Sequence, residues 1–334
     1  MRFYRPNWMN RWVLVTLPVL LVSVIALSKR VDGKQVIVEI PPGASSGEVA
    51  YLLEENEIIA SAVLFRAYVK LKGEERSLKA GIYRMQTSSS TREAFRRISR
   101  GLVETTAITI PEGLNVWQIA PILSEVTQDT EDEITIALQD PMLPERFNLE
   151  GPTIEGYLFP DTYRFANGIS LETVITTMIG QYRSLWTDAR KTELEASGMS
   201  EHEIVTLASI IQTEARQLSE MSRISGVYHN RIRNRWLLQA DPTVIYALGG
   251  YRERLLYAAI DSVADNPYNT YTQPGLPPGP IASPGAMAID AALKPEEHDY
   301  WYFVARPDGS HVFTSTLADH NRAKEEQRMA RNGL

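Results

Sequence analysis

Residues 207–217, LASIIQTEARQ, carry the apolar rhythm of a helix that packs into a core, with a glutamate set among the apolar positions. Upstream, Ser200 and Glu203 stand three apart as a capping-box pair and start a helix predicted over 201–217. At roughly 100° per residue, Ile204, Leu207, Ala208, Ile211 and Ala215 make one apolar arc. Glu214 falls on its edge, between Leu207 and Ile210. A carboxyl group there is partly desolvated, which raises its pKa above the reference of about 4.3. A glutamic acid still protonated near pH 7 is what general acid catalysis requires, and such groups contribute about 10² to 10⁴ in rate. The competing structural role is a boundary glutamate paired with Arg216 or Arg223.

Around this segment the chain reads as helices over 171–186, 187–196 and 219–234, with an extended piece around ADPT (240–243) and a helical TVIYALG ending at Gly249 and Gly250. QPGLPPGPIASPG (273–285) is too rich in proline and glycine for a helix or central strand, and forms either a rigid wall or a linker. AMAIDAALKP (286–295) is a short helix stopped by Pro295, and DYWYFVARPDGSHVFTST (299–316) a hairpin turning at Pro-Asp-Gly. LADHNRAKEEQRMARNG closes the chain as a weakly amphipathic helix. Nearer the N-terminus, VIVEIPPGASSGEVAYLLEENEII (36–59) and TAITIPEGLNVWQIAPILSEVT (106–127) share a plan of strand, Ile-Pro-x-Gly and helix. In each, Gly43 or Gly113 is followed seven residues later by Ala50 or Ala120. The first copy continues through SAVLFRAYVKLKG (61–73) to a strand-like AGIYRM (80–85), in the order β-α-α-β, and then to a helix within STREAFRRISRG (90–101). These elements together predict an α+β fold: a small β-α-α-β module and a mainly helical domain with short strands and a C-terminal hairpin.

Composition narrows the function. The 334 residues are 44% hydrophobic and 22% charged, as in an ordinary globular protein. A net charge of −7 lacks the basic balance of a nucleic-acid binder. There is no cysteine, which excludes disulfides, thiolate metal sites and a cysteine nucleophile. The five histidines, 202, 229, 298, 311 and 320, form no HExxH, so neither a metal nor a cofactor is expected. No GxSxG and no phosphate-cradling glycine loop is present. WVLVTLPVLLVSVIALS (12–28) is uncharged, flanked by Arg2, Arg5 and Arg11 before it and Lys29, Arg30 and Lys34 after it. It lacks a small-residue cleavage site and reads as a single-pass anchor rather than a cleaved signal peptide. The expected layout is a cytoplasmic 1–11, an anchor at 12–28, the small module at 36–104 and the main domain at 105–334 on the far side of the membrane.

Residues suited to a sugar cleft recur in short clusters: Glu155, Tyr157, Asp161 and Tyr163 in EGYLFPDTY; Gln239, Asp241 and Thr243 in LQADPTVIY; Asn269 and Tyr271 in NPYNTY. Aromatic rings stack on sugar faces while amides and carboxylates read hydroxyls. Taken singly, each residue also has a structural reading, as core tyrosine, helix cap or turn asparagine.

The order EGYLFPDTY, LASIIQTEA, YHNRI, LQADPTVIYALG, NPYNTY, GLPPGPIASPG and YWYFVARPDGSHVFTST resembles the YceG/MltG-type endolytic murein transglycosylases, over roughly residues 36–325. The resemblance implies an inner-membrane anchor, a module similar to LysM, and a periplasmic domain that cuts nascent peptidoglycan strands internally and limits their length. It implies Glu214 as the catalytic glutamate. Many members carry a second glutamate where this chain has Gln212, and Asp319-His320 stands where Glu-His is common. The expected partners are peptidoglycan glycan strands, the inner membrane and peptidoglycan synthases, with no nucleic acid. A single acid suffices for such an enzyme, because the C6 hydroxyl of N-acetylmuramic acid closes onto C1 and gives a 1,6-anhydro end. Two other readings stand beside it: a muramidase hydrolase using Glu155 or Asp241 as second carboxylate, and a non-catalytic glycan-binding scaffold for cell-wall synthases.

Overall fold

The computed structural model describes residues 33–250 and 257–331. The apolar run at 12–28 lies outside them, and among the described residues no helix is long and apolar enough to cross a membrane. The fold is α+β, and among the described residues the helices are joined by three two-stranded sheets. Residues 33–107 with Arg164–Ile169 form one compact unit, and Ile108–Tyr163 with the residues from Ser170 onward form another.

In the first unit, strand β1 (Gln35–Ile40) pairs antiparallel with β2 (Gly81–Gln86), setting Val38 opposite Tyr83. Alternation turns Val38 and Ile40 inward and leaves Ile37 exposed. Helices α1 (Ser46–Glu55) and α2 (Ala62–Lys72) lie between the strands in sequence. Ser45 and Glu48 form a reciprocal capping box on α1, Ser61 caps α2, and Gly73 ends it in a left-handed turn. Helix α3 (Thr91–Arg100) runs from Ser90 to Gly101 by the same logic. Val49, Leu53, Phe65, Val69, Tyr83 and Ile98 fill the core of this unit.

The second strand-turn-helix copy is β3 (Thr105–Thr109) and α4 (Val116–Ser124). Gly113 at φ +82° matches Gly43 at +78°, left-handed conformations that favour glycine. Asn115 and Gln118 cap α4 reciprocally, and α5 (Glu131–Leu138) and the short α6 (Leu143–Arg146) follow. Strand β4 (Thr162–Ala166), which begins within EGYLFPDTY (155–163), then pairs with β3.

The rest of the second unit is built on α7 (Leu171–Ser184), α8 (Asp188–Ser197), α9 (Glu201–Glu214) and α10 (Met221–Arg233). Two of these depart from expectation. Helix α9 stops at Glu214 rather than 217, because Ala215 turns to an extended backbone. The ADPT piece expected to be extended is helical from Asp241, with Pro242 tolerated in the first turn of α11 (Asp241–Ala247). Helix α12 (Tyr257–Ser262) follows. The proline-glycine segment is a wall: Ile281 N–H donates to Ser209 Oγ of α9 at 3.0 Å, and Gly285 N–H to Gln212 Oε1 at 3.0 Å. Gln212 thus fastens this wall. Helix α13 (Ala286–Leu293) packs on α9 and α10, with Ala288, Ile289, Ala291 and Ala292 buried. Strands β5 (Tyr302–Ala305) and β6 (His311–Thr314) form the C-terminal hairpin, and α14 (Leu317–Arg331) packs on β5.

Candidate active site

Glu214 is the last residue of α9, preceded by fully buried Ile204, Leu207, Ala208, Ile210 and Ile211. Its side chain is half-buried and opens on a cavity of about 630 Å³. Gln239, Asp241 and Tyr271 line the same cavity, with Tyr302, His320 and Lys324 from the C-terminal elements. Helix α10 supplies Tyr228 and Arg231, three apart and therefore on one face. The Tyr228 hydroxyl, itself buried, donates to Glu214 Oε1 at 3.0 Å. Arg231 is buried too, and spends its guanidinium on backbone carbonyls, Trp301 O at 3.0 and 2.7 Å and Leu238 O. Its charge therefore remains available to act electrostatically on the cavity.

In the same cavity, Asp241 Oδ1 accepts the Tyr271 hydroxyl at 2.5 Å. Tyr271 is placed by Asn269, whose Oδ1 accepts Tyr271 N–H at 3.1 Å and whose Nδ2 donates to Ile260 O and Val263 O. Thr270 Oγ1 accepts Ala240 N–H at 3.0 Å and meets Thr243 Oγ1 at 2.9 Å, tying the Asp241 end of α11 to the Tyr271 loop.

Burial raises the Glu214 pKa to about 7, with the nearby charge of Asp241 adding to it, while the Tyr228 hydrogen bond and Arg231 pull the other way. The C-terminal end of α9 disfavours a negative charge in the same direction. Tyr228 and Tyr271 are themselves pushed above the usual phenol range, chiefly by burial, so both are neutral donors. The result is a carboxyl group that keeps its proton up to about neutral pH, in one cavity with a second carboxyl group.

Six residues expected to line the cleft lie elsewhere. Glu155 is 1% exposed, its Oε2 accepting Val116 N–H at 3.1 Å at the start of α4. Burial pushes its pKa up to about 8, so it is a neutral core acid. Tyr157 is buried and donates to Glu150 O, with His202 Nδ1 at 2.8 Å from its hydroxyl. Tyr163 donates to Phe159 O at 2.6 Å, while Asp161 is exposed and accepts Thr162 N–H and Gln181 Nε2. Thr243 and Asn269 are fully buried and serve the framework just described. Each satisfies a local backbone or core demand, which a polar residue in an apolar run does as readily as it lines a cleft.

The sequence reading missed Tyr228 and Arg231 as members of the site. Their three-residue spacing in YHNRI was the available signal. It also missed His311, which lines the cavity and sets Nδ1 2.7 Å from Glu220 Oε2.

A model of the YceG-like family matches residues 38–326. A protein of Bacillus subtilis named endolytic murein transglycosylase is 35% identical over 318 residues, covering 90% of this chain and 87% of its own length. A Streptococcus pneumoniae protein of the same name is 28% identical over 319 residues, and this chain spans 58% of its length. The crystal structure of a yceG-like protein from Listeria monocytogenes, 32% identical, superposes with a TM-score of 0.60, covering 87% of this chain and 99% of that one.

Proposed function

The chain belongs to the YceG-like family, and on that premise we propose that it is an endolytic murein transglycosylase. It cleaves the β-1,4 bond between N-acetylmuramic acid and N-acetylglucosamine within peptidoglycan strands and leaves 1,6-anhydro ends. Glu214 protonates the bridging oxygen, and its carboxylate then takes the proton of the C6 hydroxyl that closes onto C1. The observation that carries this reading is the Glu214 carboxyl group lining the 630 Å³ cavity, bound by the Tyr228 hydroxyl and with its pKa raised by burial to about 7. The test is product analysis by mass spectrometry on defined uncrosslinked glycan strands. The wild-type protein gives 1,6-anhydro ends, and Glu214→Gln gives none. Wild-type rates in that variant end the assignment.

Asp241 in the same cavity favours one alternative, a two-carboxylate hydrolase. Reducing muramic ends carrying an added water would establish it. Also part of the proposal is the arrangement around the catalytic domain: residues 12–28 anchor the chain in the inner membrane with the remainder in the periplasm. The β-α-α-β unit is a LysM-like module, and cell-wall synthases are the partners through which nascent strands are delivered. Tagging the chain and testing protease access on either side of the membrane checks the placement.

A further inference from the structure

Glu214 and Asp241 are held in the same way. Each has one carboxyl oxygen bound by a tyrosine hydroxyl, Tyr228 for Glu214 and Tyr271 for Asp241. The other oxygen of each has no hydrogen-bond partner among the described residues, and both residues line one cavity. They are the two carboxyl groups among its lining residues. Asp241 is exposed, so its free oxygen is open to a ligand. A carboxylate fixed by a buried framework of Thr243, Asn269 and Thr270 is more constrained than hydroxyl recognition alone demands.

We propose that Asp241 is a second catalytic group, whose carboxylate faces the anomeric carbon and offsets the positive charge that develops there while Glu214 delivers its proton. The inference rests on the transglycosylase reading and assigns it one more participant. The Glu214 proton goes to the bridging oxygen, and the C1–O bond breaks with its electron pair passing to that oxygen. The C6 hydroxyl oxygen then bonds to C1, and its proton passes to the Glu214 carboxylate, restoring the acid. Asp241 neither gains nor loses a proton or a bond. Its contribution is a fixed negative charge at an oxocarbenium-like centre, where preorganised electrostatics act with little reorganisation. That same charge helps keep Glu214 protonated between turnovers.

The groups facing Glu214 are Tyr228 and Arg231 from α10, Asp241 from α11 and Tyr271 from the loop after α12, with His311, His320 and Lys324 lining the same cavity. Removing the Asp241 charge therefore moves the Glu214 titration toward lower pH. The experiment measures kcat, KM and product ends against pH for the full-length wild type, Asp241→Asn and Tyr271→Phe on uncrosslinked glycan strands. Asp241→Asn is expected to lower kcat about 10²-fold or more with little change in KM, and to shift the basic limb of the kcat profile to lower pH. Tyr271→Phe leaves the charge but loosens it, lowering kcat about tenfold with the limb unmoved. An unchanged kcat in Asp241→Asn, or a raised KM at wild-type kcat, overturns the proposal. So does an unshifted basic limb, which would mean a structural role alone. If Asp241→Asn does not fold, Tyr271→Phe decides, and wild-type kcat there overturns the proposal. Absence of 1,6-anhydro ends from the wild type itself sinks the underlying reading, and this inference with it.

Discussion

The site trades stability for a protonated acid, and Glu214→Gln should reveal the exchange. A carboxyl group whose folded-state pKa rises from 4.5 to about 7 binds its proton more tightly in the native than in the unfolded chain. Its destabilising effect is absent below about pH 4.5 and grows as pH rises through the folded value. Above pH 7 it amounts to about 3 kcal/mol, at about 1.4 kcal/mol per pH unit of displacement, and near pH 5 to about 1 kcal/mol. Glutamine is neutral at every pH and its Oε1 still accepts the Tyr228 hydroxyl. Relative to wild type, Glu214→Gln should therefore gain about 2 kcal/mol between pH 5 and pH 8, roughly 4–8 °C in melting temperature for a unit of this size. Comparing the two pH values cancels any pH-independent cost of the substitution. The tryptophans among the described residues, 117, 186, 236 and 301, all belong to the unit that holds Glu214, so intrinsic fluorescence follows its melting. A melting difference that is the same at pH 5 and pH 8 refutes the desolvated-acid account, whatever happens to activity.

Glu155 makes a parallel case without catalysis: Glu155→Gln should flatten the wild-type loss of stability between about pH 4.5 and 8, read from the same melts, while leaving the pH profile of kcat in place. Gly156 sits at φ +84°, and a Cβ there would come 2.4 Å from Pro280 Cβ. Gly156→Ala should cost about 2–5 kcal/mol by denaturant titration, combining backbone strain with overpacking against the proline-glycine wall. Arg231→Met removes the guanidinium bonds to Trp301 O and Leu238 O and a charge that lowers the Glu214 pKa. The expected outcome is a loss of about 3 kcal/mol or more in stability and a basic limb of kcat shifted to higher pH, the opposite direction to Asp241→Asn.

Much of the fold was legible because it is written in neighbours along the chain. The cap of Ser200 with Glu203 acts over three residues, the turns at Gly43 and Gly113 over one, and the 299–316 hairpin over a single Pro-Asp-Gly. Apolar spacing likewise marked α9 as a core helix with an acid on its edge. The extended reading of ADPT failed because Pro242 signals a break yet is tolerated at a helix start. The closing strand β4, which begins within EGYLFPDTY, was hidden because its pairing partner, β3, lies more than fifty residues earlier.

What the sequence by itself determined was most of the helices, the C-terminal hairpin, the helix that carries Glu214 and the chemical kind of that residue. Only the tertiary structure decided which polar side chains share a cavity. Glu155 and Glu214 look alike in sequence, each an acid among apolar residues, and burial raises the pKa of both. One is sealed in the core against Val116, 39 positions away, and the other opens on a cleft with Asp241 and is bound by Tyr228, 14 positions away. Local rules reach a turn or two along the chain, whereas desolvation and charge coupling depend on distance through space, which exists only once the chain has folded.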